Sequence, residues 1–400
     1  MAKSSLSERV QKMTESATIA MSQKSREMIE QGLDVISLSI GQPDFDTPTI
    51  IKDAAKKALD ENFTKYTPVA GFLGLRQAIS NKLLRENKLT YTPKQISVST
   101  GAKQAIINVI LALINEGDEV ILPAPFWVSY LEQVKFAGGI PVVIPTQVKN
   151  DFKITSSELD DAITEKTKLI IYSSPCNPSG SVYNKDELIN IAEVVAKHDN
   201  LFVLSDEIYE YIDFSNSAVS IATIPEIKDR VITVNGVAKG FAMTGWRIGY
   251  AAGPEWLISA CNKIQGQFTS GANSIAQQAC ITALNEGKKL SLDMKSNFLR
   301  RRDLMFDLFQ EIPGIKVNKP NGAFYLFPDV SSYFGKSNAE FSINNADELC
   351  QYLLKDGLVA AVSGTAFGAP NCIRLSYANS DDILIEASSR IKKSLAKLST

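Results

Sequence analysis

Residues 230–253, RVITVNGVAKGFAMTGWRIGYAAG, place a single lysine between two segments with the pattern of β-strands, RVITVNG and RIGYAAG. Lys239 is the only charged residue between Arg230 and Arg247, and glycine or alanine occupies positions 236, 238, 240, 242 and 245. Small neighbours allow backbone or ligand to approach closely, and burial lowers the pKa of a lysine because it disfavours the charged form. The stretch therefore predicts a nucleophilic lysine, and a solvated loop lysine is the alternative.

The segments on either side of this stretch alternate between helix and strand patterns. The amphipathic segments at 49–61, 102–116, 156–165 and 185–199 predict helices, and the apolar segments at 94–100, 118–125, 140–146, 167–175 and 201–207 predict strands. The nearly all-apolar strand TKLIIYSSP is typical of a sheet covered on both faces. After about residue 290, a long charged helix at 293–312 and short strands at 322–330 and 371–378 indicate a smaller α+β domain.

Composition excludes several kinds of partner. The chain has 400 residues with 44% hydrophobic and 22% charged side chains and a net charge of −2, which gives no field that would hold nucleic acid or an anionic membrane. Its five cysteines are far apart with no C-x-x-C pair, and its longest apolar helix candidate, QAIINVILALIN, is too short to span a bilayer. We therefore expect a cytoplasmic protein with no disulfide framework.

Several classes of enzyme are disfavoured because their sequence motifs are missing. His198 is the only histidine, so an HExxH zinc site is excluded and no metal is expected. The sequence also lacks the G-x-S-x-G nucleophile elbow, the G-x-x-x-x-G-K-[ST] phosphate loop and the G-x-G-x-x-G dinucleotide turn. Serine hydrolase, nucleotide hydrolase and Rossmann dehydrogenase activities are disfavoured as a result.

Polar residues that directly follow predicted strands carry the remaining information, because ligands of open α/β sheets bind at the carboxyl ends of the strands. In SVSTGAKQA, a strand runs through Thr100 into Gly101 and Ala102 and then a helix, which presents free N–H groups to an anion; an N-cap by Thr100 is the alternative. In IIYSSPCNPSG, Asn177 and Gly180 flank a proline, and a simple Pro/Gly turn is the alternative.

Three further places hold charged groups. The strand in VLSDEIYEY ends at Asp206 and Glu207, followed by Tyr209, and a buried carboxylate needs a partner unless it caps a helix. Arg247 follows the central lysine by eight residues. Arg374 lies among apolar neighbours in CIRLSYA, a setting in which a guanidinium binds a carboxylate or phosphate, with a structural ion pair as the alternative.

Together these places resemble the pyridoxal-phosphate-dependent class I aminotransferases, and within them the bacterial branch of aspartate aminotransferases. GVAKGFAMTGWRIG is similar to the lysine signature of that family, and SIGQPDFDTP, KYTPVAGFLGLR, PAPFWVSY, SSPCNPSG, SDEIYE and GAFY occur in the family's order over nearly the whole chain. The resemblance implies an α/β protein of fold type I, in which a large domain with a mostly parallel sheet covered by helices binds pyridoxal 5'-phosphate. We place the large domain at 46–290 and the small domain at 1–45 with 291–400.

The resemblance implies roles for the residues around the cofactor ring. Lys239 would form the Schiff base with the cofactor and then transfer the proton from the α-carbon of the amino acid. Asp206 would pair with the ring nitrogen, which makes the ring an electron sink. Tyr209 and Asn177 would hydrogen-bond the phenolic oxygen of the ring.

The cofactor phosphate would have its own set of ligands. Arg247 and the backbone N–H groups at Gly101 and Ala102 would bind it within one subunit. Tyr66 would reach the same phosphate from a neighbouring subunit, so the resemblance implies a homodimer with shared active sites.

The substrate would be held by a third set of residues. Arg374 would bind the α-carboxylate in a fork, helped by Asn177 and the backbone near Gly41, and Trp127 would lie against the cofactor ring and contact the same carboxylate.

The side-chain carboxylate of the substrate needs a further cation. The chain has no arginine between Arg247 and Arg300, where relatives of the animal type carry one that binds this carboxylate. Lys103 matches the lysine thought to replace it in the bacterial branch, with Ser16 and Thr18 closing over the site. A solvated Lys103 is the alternative.

The predicted activity is transamination of L-aspartate with 2-oxoglutarate to oxaloacetate and L-glutamate by a ping-pong mechanism. The alternatives on the same fold are an aromatic or alanine aminotransferase and a carbon–sulfur lyase, since only the distal pocket differs. A regulator that senses the cofactor is the alternative from another class. Thr14 lies where family members that also accept prephenate tend to have a basic residue, which disfavours that substrate.

Overall fold

The computed structural model describes residues 5–399, so residues 1–4 of the predicted small domain and Thr400 lie outside the described residues. The helices are α1 Glu8–Gln11, α2 Ala17–Glu30, α3 Thr49–Asp60, α4 Leu73–Asn87, α5 Ala102–Leu113, α6 Ser129–Phe136, α7 Ser156–Ala162, α8 Lys185–Ala196, α9 Glu255–Phe268, α10 Ser274–Glu286, α11 Leu292–Gln310, α12 Ala346–Asp356 and α13 Asp381–Ala396.

The strands belong to one large sheet and three small ones. They are β1 Ile36–Ser37, β2 Ile96–Ser99, β3 Glu119–Pro123, β4 Ile140–Ile144, β5 Thr167–Ser173, β6 Phe202–Asp206, β7 Val231–Gly236, β8 Gly249–Ala252, β9 Tyr325–Leu326, β10 Lys336–Ser337, β11 Ser342–Ile343, β12 Val359–Ala360, β13 Val362–Ser363 and β14 Ile373–Ser376. The large sheet has the order β2-β8-β7-β6-β5-β3-β4, and β8 alone runs against its neighbours. The mostly parallel sheet predicted from the sequence is confirmed.

Apolar residues of the central strands face helices on both sides of the large sheet. One core joins the sheet to α3, α4, α8 and α10, and a second joins it to α5, α6 and α9. In α3 the buried residues are Ile51, Ala55 and Ala58, at the spacing of one helical face. Because helices cover both faces of the sheet, nearly every residue of β5 and β7 is buried.

A third core lies in the C-terminal part of the chain, where α11, α12 and α13 pack around β9 and β14. The N-terminal segment joins this part, since β1 pairs in parallel with β12 through Ile36–Val359 and Ser37–Ala360. This pairing supports the division into domains 46–290 and 1–45 with 291–400, which stays a prediction. Within residues 5–399, no helix is both long and apolar enough to cross a membrane.

Candidate active site

A cavity of about 240 Å³ lies at the carboxyl edge of the large sheet, where β5, β6 and β7 end and the C-terminal part packs on. Most residues singled out in the sequence line it: Gly41, Ala102, Lys103, Trp127, Asn177, Asp206, Tyr209, Lys239, Arg247 and Arg374, together with Ser16 and Thr18. Residues from eight parts of the chain thus converge on one space. Parallel strands bring this about because their carboxyl ends share one edge.

Lys239 lies in the loop that follows β7, and its Nζ donates a hydrogen bond to the carbonyl of Gly41. Burial lowers its pKa to about 7, and the positive charges of Arg374 and Arg247 act in the same direction. Asp206 is the opposing charge, because it favours the ammonium form. An amine with this pKa exchanges a proton readily at neutral pH.

Asp206 ends β6 with 4% of its surface exposed. Tyr130 donates to its Oδ2 at 2.7 Å, and the N–H of Ile208 donates to its Oδ1 at 3.2 Å. Burial raises the pKa of Asp206 to about 6, while these two hydrogen bonds and Lys239 lower it. No α-helix starts at Asp206, so its carboxylate does not cap a helix. It is a buried carboxylate that faces the cavity.

Arg374 is 1% exposed and lies on β14. It donates to Asn177 Oδ1 at 3.0 Å and to the carbonyl of Ser39 at 2.7 Å, and its Nε is buried without a partner. Its other contacts are the rings of Tyr325 and Phe367, at 4.6 and 5.0 Å from Cζ. Arg374 therefore contacts neutral groups, and it does not form the structural ion pair that was the alternative. Burial lowers the pKa of its guanidinium.

The guanidinium of Arg247 lies against the start of α5 at Gly101, and we call this pair of residues the cradle. Gly101, at φ +82°, is the N-cap of the helix and carries no capping side chain, so the predicted alternative of an N-cap by Thr100 is wrong. A Cβ on Gly101 would lie 2.8 Å from Cζ of Arg247, so glycine is what allows the guanidinium to reach the helix. The first turn of a helix offers N–H groups without intrahelical partners, and beside a guanidinium they suit an anion.

At one end of the cavity, Lys103 adds a fourth positive side chain to Lys239, Arg247 and Arg374. Lys103 Nζ lies 4.9 Å from the ring centroid of Trp127, and burial followed by the charge of Arg247 lowers the pKa of Lys103. Ser16 and Thr18 line the same end from the N-terminal segment. The side chain as a whole is nevertheless exposed, so a substrate-binding and a solvated Lys103 both stay predictions.

Tyr66 lies outside the cavity of its own chain. Its side chain is 100% exposed and borders a surface depression formed by residues 64–67 and 271–274. Within residues 5–399, no group of histidine, cysteine, aspartate or glutamate side chains has an arrangement that would hold a metal ion.

Two buried tyrosines of the cavity were not assigned from the sequence. Tyr130 lies three residues after Trp127, at the start of α6, and donates a hydrogen bond to Asp206. Tyr325, the last residue of GAFY, lies 2.7 Å from Tyr209 through the two hydroxyl oxygens. A tyrosine in an apolar segment is more often part of the core, and only the fold brings these two hydroxyls to Asp206 and to Tyr209.

Known proteins are similar to this chain over nearly its whole length. The bifunctional aspartate aminotransferase and glutamate/aspartate-prephenate aminotransferase of Petunia hybrida is 50% identical over 399 residues, which cover 98% of this chain and 83% of that protein. The aspartate aminotransferase of Rhizobium meliloti superposes with a TM-score of 0.95 at 39% identity, covering 98% of this chain and 99% of the other. The Thermus thermophilus aspartate aminotransferase solved with maleate has a TM-score of 0.91 at 40% identity, with 97% and 99% covered.

The family model for class I and II aminotransferases matches residues 33–388. With these relatives over the full chain, the protein belongs to the class I and II aminotransferase family and is an aminotransferase.

Proposed function

We propose that this aminotransferase exchanges the amino group between L-aspartate and 2-oxoglutarate with pyridoxal 5'-phosphate as cofactor. The observation that carries the proposal is the convergence of Lys239, Asp206, Arg374 and Lys103 on one cavity. The first two suit a cofactor with an aldehyde and a basic ring nitrogen, and the other two suit the two carboxylates of an acidic amino acid. The names of the Petunia, Rhizobium and Thermus relatives agree with this assignment.

The donor set of the cavity fits pyridoxal phosphate. The cradle of Gly101 and Arg247 suits the phosphate, since a Cβ at Gly101 would fill the space that the guanidinium occupies. Asp206 accepts two hydrogen bonds, and a carboxylate has about four acceptor sites, so it retains capacity for a ring N–H. When bound, pyridoxal phosphate supplies an aldehyde that condenses with amines and a ring that accepts the electron pair left when a proton leaves carbon.

Each charged residue then has a definite task. With a pKa near 6, Asp206 is ionised at neutral pH and would hold the proton of the ring nitrogen through an ion pair. With a pKa near 7, Lys239 could take the proton from Cα of the amino acid and return it to the carbon that forms the aldehyde in the free cofactor. The hydroxyl of Tyr209 and the amide of Asn177 would donate to the ring oxygen of the bound cofactor.

Arg374 binds and orients the α-carboxylate. Its buried Nε lacks a partner, so a carboxylate entering the cavity would satisfy a group that is costly to leave unpaired. Asn177 and the carbonyl of Ser39 fix the plane of the guanidinium from the other side. Trp127 and Gly41 shape the walls against which the carboxylate lies.

Lys103 sets the preference for an acidic substrate. Burial and the nearby Arg247 disfavour its charged form, and a carboxylate at this end would relieve that cost. An apolar or aromatic side chain would leave the lysine without an anion, which favours aspartate over alanine or phenylalanine. Ser16 and Thr18 add hydroxyl donors to the same carboxylate.

We infer that the active unit is a homodimer in which Tyr66 completes the phosphate site of the partner subunit. The full exposure of this aromatic residue and its absence from the lining of its own cavity support the inference. Mixing Tyr66→Ala and Lys239→Ala variants tests it, because hybrid dimers would contain one intact site and regain activity. Failure of the mixture to exceed either parent, after subunit exchange is verified, would contradict it.

The proposed activity is tested by assaying the purified protein with pyridoxal phosphate, 2-oxoglutarate and a panel of amino donors. We expect aspartate to have the highest kcat/KM, with parallel double-reciprocal lines that indicate a ping-pong order. Lys239→Ala is the matched control and should lose turnover with every donor. A higher kcat/KM for alanine or phenylalanine, or elimination of a thiol from a sulfur-containing donor in place of transamination, would support the alternatives.

Prephenate is a second candidate amino acceptor. A mainly apolar cavity of about 670 Å³ adjoins the first and shares Lys103 and Ser129 with it, which leaves room for a bulkier dicarboxylic oxo acid. Thr14 lines this second cavity, and its side chain carries no positive charge that could bind a carboxylate. Its backbone N–H donates to Glu132. We expect slower transfer to prephenate than to 2-oxoglutarate, and faster transfer to prephenate in Thr14→Lys.

A further inference from the structure

Tyr325 touches three parts of the proposed site at once. Its hydroxyl lies 2.7 Å from that of Tyr209, and its ring lies under the guanidinium of Arg374 at 4.6 Å. Its hydroxyl also packs on Gly41, where an added Cβ would lie 2.6 Å from the phenolic oxygen. Tyr325 is fully buried (0% exposed), and it lines the cavity.

The backbone explains this position. β9 pairs antiparallel with β14, and Tyr325 stands opposite Ser376. Side chains two residues apart on a strand share a face, so Tyr325 and Arg374 lie on the same side of the small sheet. The small sheet therefore positions both Tyr325 and Arg374 at the cavity, whereas Tyr209 lies in the loop after β6.

The direction of the hydrogen bond between the two phenols follows from their surroundings. Burial raises the pKa of both, but that of Tyr209 rises further, whereas Arg374 offsets the rise for Tyr325. The distance between the two oxygens allows either direction, but the guanidinium over the ring of Tyr325 makes its phenol the better donor, so we assign Tyr325 as the donor and Tyr209 as the acceptor. The single hydrogen of Tyr209 is then left for an acceptor in the cavity.

We propose that Tyr325 is a positioning residue, which donates to Tyr209 so that the Tyr209 hydroxyl points its own hydrogen at the ring oxygen of the cofactor. The proposal rests on the function proposed above. A hydroxyl that accepts a hydrogen bond also becomes a stronger donor, because chained hydrogen bonds polarise one another. Tyr325 thereby strengthens a contact that it does not itself make.

The test is the pH midpoint of the absorbance change of protein-bound pyridoxal phosphate. A donor to the ring oxygen stabilises the deprotonated form, so its loss raises the midpoint. Tyr209→Phe removes a hydrogen bond to a charged acceptor, worth about 1.5–3 kcal/mol, or about 1–2 pH units. Tyr325→Phe keeps the ring under Arg374 and weakens that bond by roughly 10–30%, a rise of about 0.3 units.

The double variant Tyr209→Phe/Tyr325→Phe separates action through Tyr209 from an independent effect. We expect no change beyond that of Tyr209→Phe alone. Tyr352→Phe is the matched control, since Tyr352 is an equally buried tyrosine whose hydroxyl donates to Ser394 at 2.8 Å, remote from the cavity. It should leave the midpoint unchanged, and thermal unfolding of all four variants reports any general damage.

An unchanged midpoint in Tyr325→Phe, or an equal rise with and without Tyr209, would overturn the role of Tyr325. These outcomes leave the proposed function intact, because the wild-type protein would still bind the cofactor and titrate. Absence of any cofactor absorbance in the wild-type protein would instead overturn the proposed function.

Discussion

Replacement of Arg374 by lysine tests how the α-carboxylate is held. The cavity offers this carboxylate a planar guanidinium, and lysine keeps the charge but not the fork. Each charge-assisted hydrogen bond contributes about 1.5–3 kcal/mol, so loss of one bond lowers kcat/KM about 10- to 150-fold, and loss of both in Arg374→Ala lowers it about 10²- to 10⁴-fold.

The assay compares kcat/KM for aspartate and alanine as amino donors, because both carry the α-carboxylate and only aspartate carries the second one. We expect both donors to lose the same factor within a few-fold. Arg390→Lys is the control, since Arg390 pairs with Asp34 and Glu386 away from the cavity and should leave the kinetics unchanged. A loss confined to aspartate would refute the assignment and move Arg374 to the distal carboxylate.

Three further results are expected. Lys103→Ala should lower kcat/KM for aspartate about 10-fold or more while sparing alanine, and an equal loss for both would contradict the distal role. Without cofactor, Lys239→Met should be more stable than the wild-type protein below pH 7. The difference should shrink as pH rises from 7 toward 10.5, because the unfolded chain binds the extra proton in this window, and a pH-independent difference would argue against the low pKa. Lys82→Met should lower the free energy of unfolding by about 3–5 kcal/mol, as measured in urea, because Lys82 is buried in an ion pair with Glu210, and a loss below 1 kcal/mol would contradict this.

The sequence predicted the large sheet well because its signals are local. Apolar runs such as TKLIIYSSP and amphipathic segments such as 49–61 form the expected elements, β5 and α3, with bounds shifted by a few residues. The smaller elements gave weaker signals. β9 has only two residues, and α2, of which only Ser25 is buried, shows little apolar periodicity.

The site shows the same contrast. Lys239, Asp206 and Arg374 were singled out because charged residues in apolar segments are costly without partners. The partners themselves were not predicted, because Tyr130 meets Asp206 across 76 residues and Tyr325 meets Tyr209 across 116. Such contacts depend on how α6 and β9 pack against the sheet, and no local pattern encodes this packing. Tyr66 depends on a second chain, so its role stays a prediction.

The proposed function requires that Lys239 bonds covalently to pyridoxal phosphate in the cavity. Borohydride reduction of the protein loaded with this cofactor, followed by peptide mapping, measures the bond directly. We expect the peptide that contains Lys239 to carry the mass of the reduced cofactor. An unmodified Lys239, or a label on Lys103 instead, would contradict it.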